Sequence, residues 1–474
     1  MVVAFILAAL WLAGTPAEIP DLRLSAPVVA RPGTSIGLRA WQMDRDDAGY
    51  AIVRAPMVTV ELRSRAGMLI ASSTLSPSRV QGVEGSLDVP AEVDGELSLI
   101  ARAEIDGRML TVDRALYVRA GIDSRLPAGR EVNAFQAYEL GPMRVADPRR
   151  APSTLDARVV EGVCAPDLEC TLLVWVADWE GRVRARSLAG VHAEHGAARA
   201  SDGFARLPLV VRGQEGRASI EALGEDGAVL ATREVRLPLV PGALVARASA
   251  DVGLVELEWD ALAGPGPVLV DIFDEHRWAD ARSLAPGDSR LGALAPGVWR
   301  LQVRPDLFSN NTAAVAFIVV TDPAGGDPLR LAADAVVANA DRDGLDPLAM
   351  SILEGAFTGS SRDAIEALFA VQSFDVVAMG AGVSSTVGVD EAAALAQERR
   401  RWWAAGAILV LGFIVSMVLL RVELVAQARA RRLLEDLGEG AAPPRRPSFG
   451  RGLWAFVLLV FVLMAVLALS KRWF

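Results

Sequence analysis

The sequence predicts a mainly β protein: a row of β-sandwiches, then a small helical region, then a two-helix transmembrane hairpin. Three observations carry this. From about residue 21 to 321, short runs rich in β-branched and apolar residues are broken by Gly, Pro and Asp, as in many short strands joined by turns. Helical periodicity is scarce there and sets in only after about residue 327. Residues 404–420 and 453–470 are continuous apolar runs, each long enough at helical rise for a bilayer core of about 30 Å.

The first element is an apolar run, 2–14, followed by Thr15 and Ala17. Small residues at those positions predict a signal peptide over 1–17, cut after Ala17. The run is short for a transmembrane helix; the competing reading is a buried N-terminal helix or strand.

The β region divides into modules at 21–119, 120–240 and 241–322. VTVELRS, MLIASSTL, CTLLVWVA, VELEW and GVWRLQV read as strands, and RAG, IDG, WEG and GEDG as turns. Residues 94–118 and 215–239 are an internal repeat. Allowing one gap, Gly95, Ser98, Ala101, Asp106, Gly107 and Leu110 match Gly216, Ser219, Ala222, Asp226, Gly227 and Leu230. Each copy predicts a closing hairpin around an Asp-Gly turn.

The first module resembles a macroglobulin (MG2-type) domain of the alpha-2-macroglobulin family. The resemblance rests on VARPGTSIGLRAWQMD (29–44), VTVELRSRAGMLIASSTLS (58–76) and LDVPAEVDGELSLIARAE (87–104), with Pro32, Gly33, Ile36, Arg39, Ala40 and Gly95 fitting the family pattern. It covers about 100 residues, and the later modules match only as generic immunoglobulin-like sandwiches. It implies a fold and no activity. The large members trap proteases with a bait region and often a Cys-Gly-Glu-Gln thioester. Neither cysteine here has that context, and the chain is shorter than the family's ring of domains. Protease inhibition is therefore a remote alternative.

The only cysteines are Cys164 and Cys170, in CAPDLEC. Outside the cytoplasm such a pair closes into a disulfide, and Pro166 with Asp167 supplies turn chemistry. Free thiols and a metal site are the alternatives, the latter without further ligands nearby. The histidines are His192, His195 and His276. HAEH (192–195) lies between strands, without the helix that fixes ligand spacing; DEHRWAD (274–280) reads as a polar loop beside Trp278. No nucleophile elbow, phosphate loop or dinucleotide fingerprint occurs, so the sequence predicts a protein that is not an enzyme and carries no cofactor.

One polar motif stands apart. In NADRDGLDPLAM (339–350), Asn339, Asp341, Asp343 and Gly344 fit positions 1, 3, 5 and 6 of a calcium loop. Met350 stands where a bidentate glutamate belongs, leaving Asp346 or Glu354 to substitute. The competing reading is a helix–turn–helix with Asp346 as N-cap before Pro347. Residues 323–400 read as a helical juxtamembrane region whose last helix continues into the first membrane run.

Trp402 and Trp403 open that run, and Trp454 and Trp473 flank the second, the depth amphipathic rings favour. The loop between them, 421–452, carries Arg421, Arg429, Arg431, Arg432, Arg445, Arg446 and Arg451. The positive-inside rule makes it cytoplasmic, against a weaker opposing signal from Arg399, Arg400 and Arg401. The bulk of the chain is then expected in the periplasm, on a bacterial inner membrane. Lys471 is the only lysine, a coding bias that deprives arginine enrichment of meaning by itself. The net charge of −10 gives no general attraction to nucleic acid. Together these readings predict a membrane-anchored binding or scaffolding protein whose partners are the bilayer and an envelope protein or surface polymer. The alternative is an accessory subunit of a transport or secretion complex that acts through its hairpin.

Overall fold

The structure, a computed structural model, describes residues 20–46, 49–53, 57–105, 107–121, 138–177, 179–193, 196–200, 203–240, 244–251, 254–262, 264, 266–274, 277–308, 313–322, 326–339, 349, 361–370, 382–385, 387–436, 459, 460 and 462. Pro20–Arg45 and Gly49–Ser385 form one compact unit.

The first sandwich holds β1 (Asp21–Ser25), β2 (Val29–Ala30), β3 (Ser35–Asp46), β4 (Gly49–Val53), β5 (Val58–Arg63), β6 (Leu69–Pro77), β7 (Val83–Asp88), β8 (Gly95–Ile105) and β9 (Arg108–Val118). Alternation does the sorting: in VTVELR, Val58, Val60 and Leu62 are fully buried, whereas Thr59, Glu61 and Arg63 are only partly so. The strands run β2-β9-β8-β5-β6 and then β7-β3-β1. β6 belongs to both faces, pairing with β5 along most of its length and with β7 at Ser76 and Pro77.

The second sandwich is built from β10 (Glu139–Leu140), β11 (Arg144–Val145), β12 (Thr154–Val159), β13 (Glu169–Ala177), β14 (Arg182–Ala189), β15 (Val191–Ala193), β16 (Ala198–Arg199), β17 (Phe204–Val211), β18 (Arg217–Leu223) and β19 (Val229–Arg236). Its sheets are β10-β19-β18-β14-β16 and β12-β13-β17-β15. The third has β20 (Leu244–Asp251), β21 (Leu254–Ala261), β22 (Val268–Asp274), β23 (Arg277–Leu284), β24 (Arg290–Ala293), β25 (Gly297–Arg304) and β26 (Ala314–Val320), ordered β20-β21-β24 and β23-β22-β25-β26. All three place the first, second and fifth strands of an immunoglobulin-like Greek key on one sheet and the third, sixth and seventh on the other. Both copies of the internal repeat are the last hairpin of their sandwich, β8–β9 and β18–β19. Gly107 and Gly227 sit at φ of 72° and 79°, where a side chain is disfavoured and the Asp-Gly turn needs glycine.

The first and third sandwiches meet through what would otherwise be solvent faces. Gly37, Arg39 and Trp41 alternate along the outward side of β3 and lie against β22 and β23. Arg39 Nη1 is 2.5 Å from Asp271 Oδ1, and Arg39 Nη2 is 3.2 Å from Glu84 Oε2. Asp271 Oδ2 in turn takes Arg304 Nη2 at 2.7 Å and Nε at 2.8 Å. The Arg39 and Asp271 side chains are 1% and 0% exposed. Burial pushes the Glu84 carboxyl above its usual range, against the pull of Arg39. Trp278 packs flat on the space left by Gly37, where an added Cβ would lie 2.7 Å from its Nε1. Trp41, Met43, Leu269 and Leu307 complete the junction with apolar contacts.

The second and third sandwiches are joined by Ala165, Leu168, Val240 and Val245 and by two helices, α1 (Pro328–Asn339) and α2 (Ser361–Ala370). Asp327 Oδ1 accepts from Leu329 N at 3.0 Å, capping α1, and Pro328 occupies its first turn. Ala332, Val336, Ala364, Ala367 and Leu368 pack on Leu173, Trp175 and Phe204 of the second sandwich and on Val298, Phe317 and Val319 of the third.

The stretch expected to be helical throughout, 323–400, also contains a strand. β27 (Val383–Ser384) returns to the first sandwich and pairs with β1. Ser385 N donates to Leu22 O at 2.8 Å, and Ser384 Oγ lies 2.6 Å from Asp21 Oδ1. A two-residue strand leaves no periodicity to read in the sequence.

The other unit includes α3 (Val387–Asp436), 50 residues in one helix, about 75 Å long at helical rise. By length and composition, Ile408–Leu433 could cross a membrane. The expected signal peptide, and most of the second apolar run with the hairpin it would complete, lie outside the described residues.

Three substitutions at the first junction have stability consequences that can be measured. Asp271→Ala removes the carboxylate shared by two buried guanidinium groups, leaving Arg39 to Glu84 alone, and is expected to cost about 3–5 kcal/mol, read by denaturant unfolding. Glu84→Gln is expected to cost far less, because burial already disfavours that charge; equal losses would contradict this division of roles. Gly37→Ala is expected to cost about 1–3 kcal/mol by overpacking, partly recovered when Trp278→Leu is added.

Candidate functional surfaces

A cavity of about 100 Å³ opens where the second sandwich, the third sandwich and α2 meet. Its polar wall is Thr171 on β13, Arg206 on β17, Arg247 on β20 and Glu366 on α2; Phe317 and Phe369 close its floor, stacked with centroids 5.2 Å apart. Each charge is already engaged. Arg206 pairs with Glu366. Arg247 Nε reaches Glu161 Oε1 at 2.7 Å and its Nη2 donates to Glu169 O at 3.2 Å. Glu161 Oε2 accepts from Thr171 N at 2.8 Å. A ligand entering here must break an ion pair, and the room suits one side chain. The cavity is thus a polar seam between sandwiches.

Cys164 and Cys170 are joined in a disulfide. Asp167 turns the loop at φ 64°, a conformation Asp tolerates. Its amide donates to Val211 O at 2.8 Å. The staple clamps the strand leaving the second sandwich. Cys164 N donates to Pro238 O at 2.8 Å, and Val240 N donates to Cys164 O at 3.0 Å. Ala165 and Leu168 on the loop then plug the seam toward Val245.

Asn339 is the last residue of α1; Asp341, Asp343 and Asp346, the other candidate calcium ligands, lie outside the described residues. Among the described residues no cluster of His, Cys, Asp and Glu could hold a metal ion. His192 is exposed on β15, and His195 and His276 lie outside the described residues. Trp278, expected beside a polar loop, is a buried junction residue, 4% exposed.

Sequence reasoning missed the ionic junction. Arg39 entered only as part of a family pattern, and its partner Asp271 lies 232 positions away. One signal was available: Asp271 interrupts the apolar strand VLVDIFD, and a carboxylate in a two-sided buried strand requires a partner.

No family model matches the sequence, and no curated protein matches it. Among solved structures, the native alpha-2-macroglobulin of Escherichia coli overlaps 66% of this chain and 23% of its own, at 14% identity and a TM-score of 0.19. The chain spans about a quarter of that protein's length. The BSP domain of a biofilm-associated protein overlaps 68% of this chain and 70% of its own, at 12% identity and a TM-score of 0.20. Fibronectin(III)-like modules of CbhA from Clostridium thermocellum overlap 46% of this chain and 94% of theirs, at 16% identity and a TM-score of 0.15. The immunoglobulin-like assignment stands on the strand order described above.

Replacing both cysteines with serine is expected to cost about 2 kcal/mol on the chain-entropy model. It should also speed amide exchange at Val240, read by hydrogen-exchange mass spectrometry. Unchanged exchange there would mean that the staple does not hold the inter-sandwich strand.

Proposed function

We propose that this chain is a non-enzymatic binding or scaffolding protein, anchored in a bacterial inner membrane by its C-terminal apolar segments with the sandwiches in the periplasm. The observation that carries the reading is the buried ionic junction at Arg39, Asp271, Glu84 and Arg304. It spends two sheet faces on fixing one sandwich against another, as a protein does that presents surfaces in set positions. The seam cavity, with its ion pairs already made, supports the same reading over that of a small-molecule enzyme. The partners are then the bilayer and another envelope protein or surface polymer.

A second reading, accessory subunit of a transport or secretion complex, is favoured by one face of α3. Ala405, Ile408 and Ser416 are 3%, 8% and 4% exposed, whereas Trp403, Val410, Phe413 and Ile414 are 75%, 60%, 60% and 52% exposed. Two of the three buried residues, Ala405 and Ser416, are small, and small residues on one face are a common packing surface between membrane helices.

The anchor and its sidedness are tested by alkaline extraction and by a thiol reagent that does not cross membranes. Retention in the pellet, with labelling of Cys164 and Cys170 only after external reduction, is the expected result. Release into the supernatant, or labelling only after lysis without reductant, would overturn it. Purification from native membranes, with and without replacement of 402–470 by an unrelated anchor, separates the two readings. A partner that survives the swap places binding in the sandwiches.

A further inference from the structure

The geometry points to the open edge of β14 as a docking site for an acidic, extended segment of a partner protein, which would add as a further strand. This rests on the binding reading above and names the surface and the partner chemistry. The outward face of the sheet that contains β14 is rich in arginine, within a chain of net charge −10. Arg182, Arg184 and Arg186 alternate along one side of β14, all exposed, and Arg199 stands opposite Arg182 on β16. The carboxylates on the same face are Glu221, Glu234 two strands away and, beyond it on β10, Glu139, which pairs with Arg236.

Glu221 shows what this surface does with a carboxylate. It is 3% exposed and held by Arg184 Nη2 at 2.6 Å and Arg186 Nε at 3.3 Å. Its neighbours Arg182 and Arg199 have no acidic partner among the described residues. The strand edge supplies the second half of the site. β16 pairs with β14 only at Arg182 and Val183, with Ala200 N donating to Gly181 O at 2.9 Å. By the alternation of an antiparallel ladder, the N–H and C=O groups of Ala185 and Ser187 face the same open side. Among the described residues no strand pairs with them there, and the register shifts after Ser187. An edge flanked by charge resists strands of like character, but accepts one whose carboxylates stand at alternate positions, where side chains project to one face. Such a strand would run in line with β16 and place its acids over the arginines.

The test uses the detergent-solubilised full chain and a fluorescent peptide of about ten residues with Glu alternating with Thr, read by anisotropy. Saturable binding is expected, weakened about tenfold by Arg182→Glu or Arg199→Glu, neither of which uncovers Glu221. Ser187→Pro, which removes an edge donor at a position where proline is tolerated, should weaken it similarly, with unchanged circular dichroism. A peptide of equal charge with N-methylated backbone should also lose about tenfold, since it cannot complete the ladder. Equal binding of the N-methylated peptide would reduce the site to plain charge attraction and overturn the proposal. So would tighter binding of polygalacturonate, which would assign the arginines to a polymer, or no peptide binding at all. A native partner that persists on Arg182→Glu/Arg199→Glu protein would sink this edge while leaving the binding reading intact. The absence of any partner from native membranes would remove both.

Discussion

The arrangement of the first and third sandwiches depends on Asp271 standing between two arginines, in the dark between two sheets. A carboxylate and two guanidinium groups removed from water gain little net stability, because desolvation consumes most of their attraction. They impose a condition instead. With Arg39 on β3 and Arg304 on β25, Asp271 meets both arginines in one relative placement of the sandwiches only. A slide of a single strand spacing would break the Arg39–Asp271 contact, the one ion pair of this group that crosses the junction, and leave Arg39 with Glu84 and Asp271 with Arg304. Apolar contacts at Trp41, Met43, Leu269 and Leu307 supply adhesion there without such selectivity. Affinity and register are thus divided between different residues of one junction.

The second junction is built on other principles. Its contacts are apolar, contributed by a stapled loop and a pair of helices that share one cluster with two sandwiches. The helices are short, 12 and 10 residues, and helices of that size are marginal alone. They gain their stability from the cleft they fill. The staple matters less for the loop it closes than for the exit strand it holds, since Val240 hydrogen-bonds to Cys164 itself.

Much of the fold could be read from the sequence because sandwich strands announce themselves locally. VTVELR alternates, an Asp-Gly turn stands in each copy of the repeat, and the cysteines lie six positions apart. What escaped reading is long-range. Gly37 looks like an ordinary strand glycine until Trp278 is laid on it. Arg39 looks like a solvent-facing residue because its position alternates with buried ones, and alternation cannot tell water from a second sheet. β27 is too short to carry a pattern. The arginine edge was masked for a different reason: with arginine serving as the general basic residue of the chain, its abundance on β14 carried no signal until the register set three of them on one side.

The pairing of β27 with β1 has a mechanical consequence. The two strands are antiparallel, with Arg23 beside Ser384, so the chain enters and leaves the sandwich unit at neighbouring points. Tension applied between Pro20 and Val387 does not pass through the sandwiches in series. It falls first on this short pair, and in the unzipping direction, where hydrogen bonds are loaded one after another. With only two residue pairs to separate, this link is loaded before the three cores behind it.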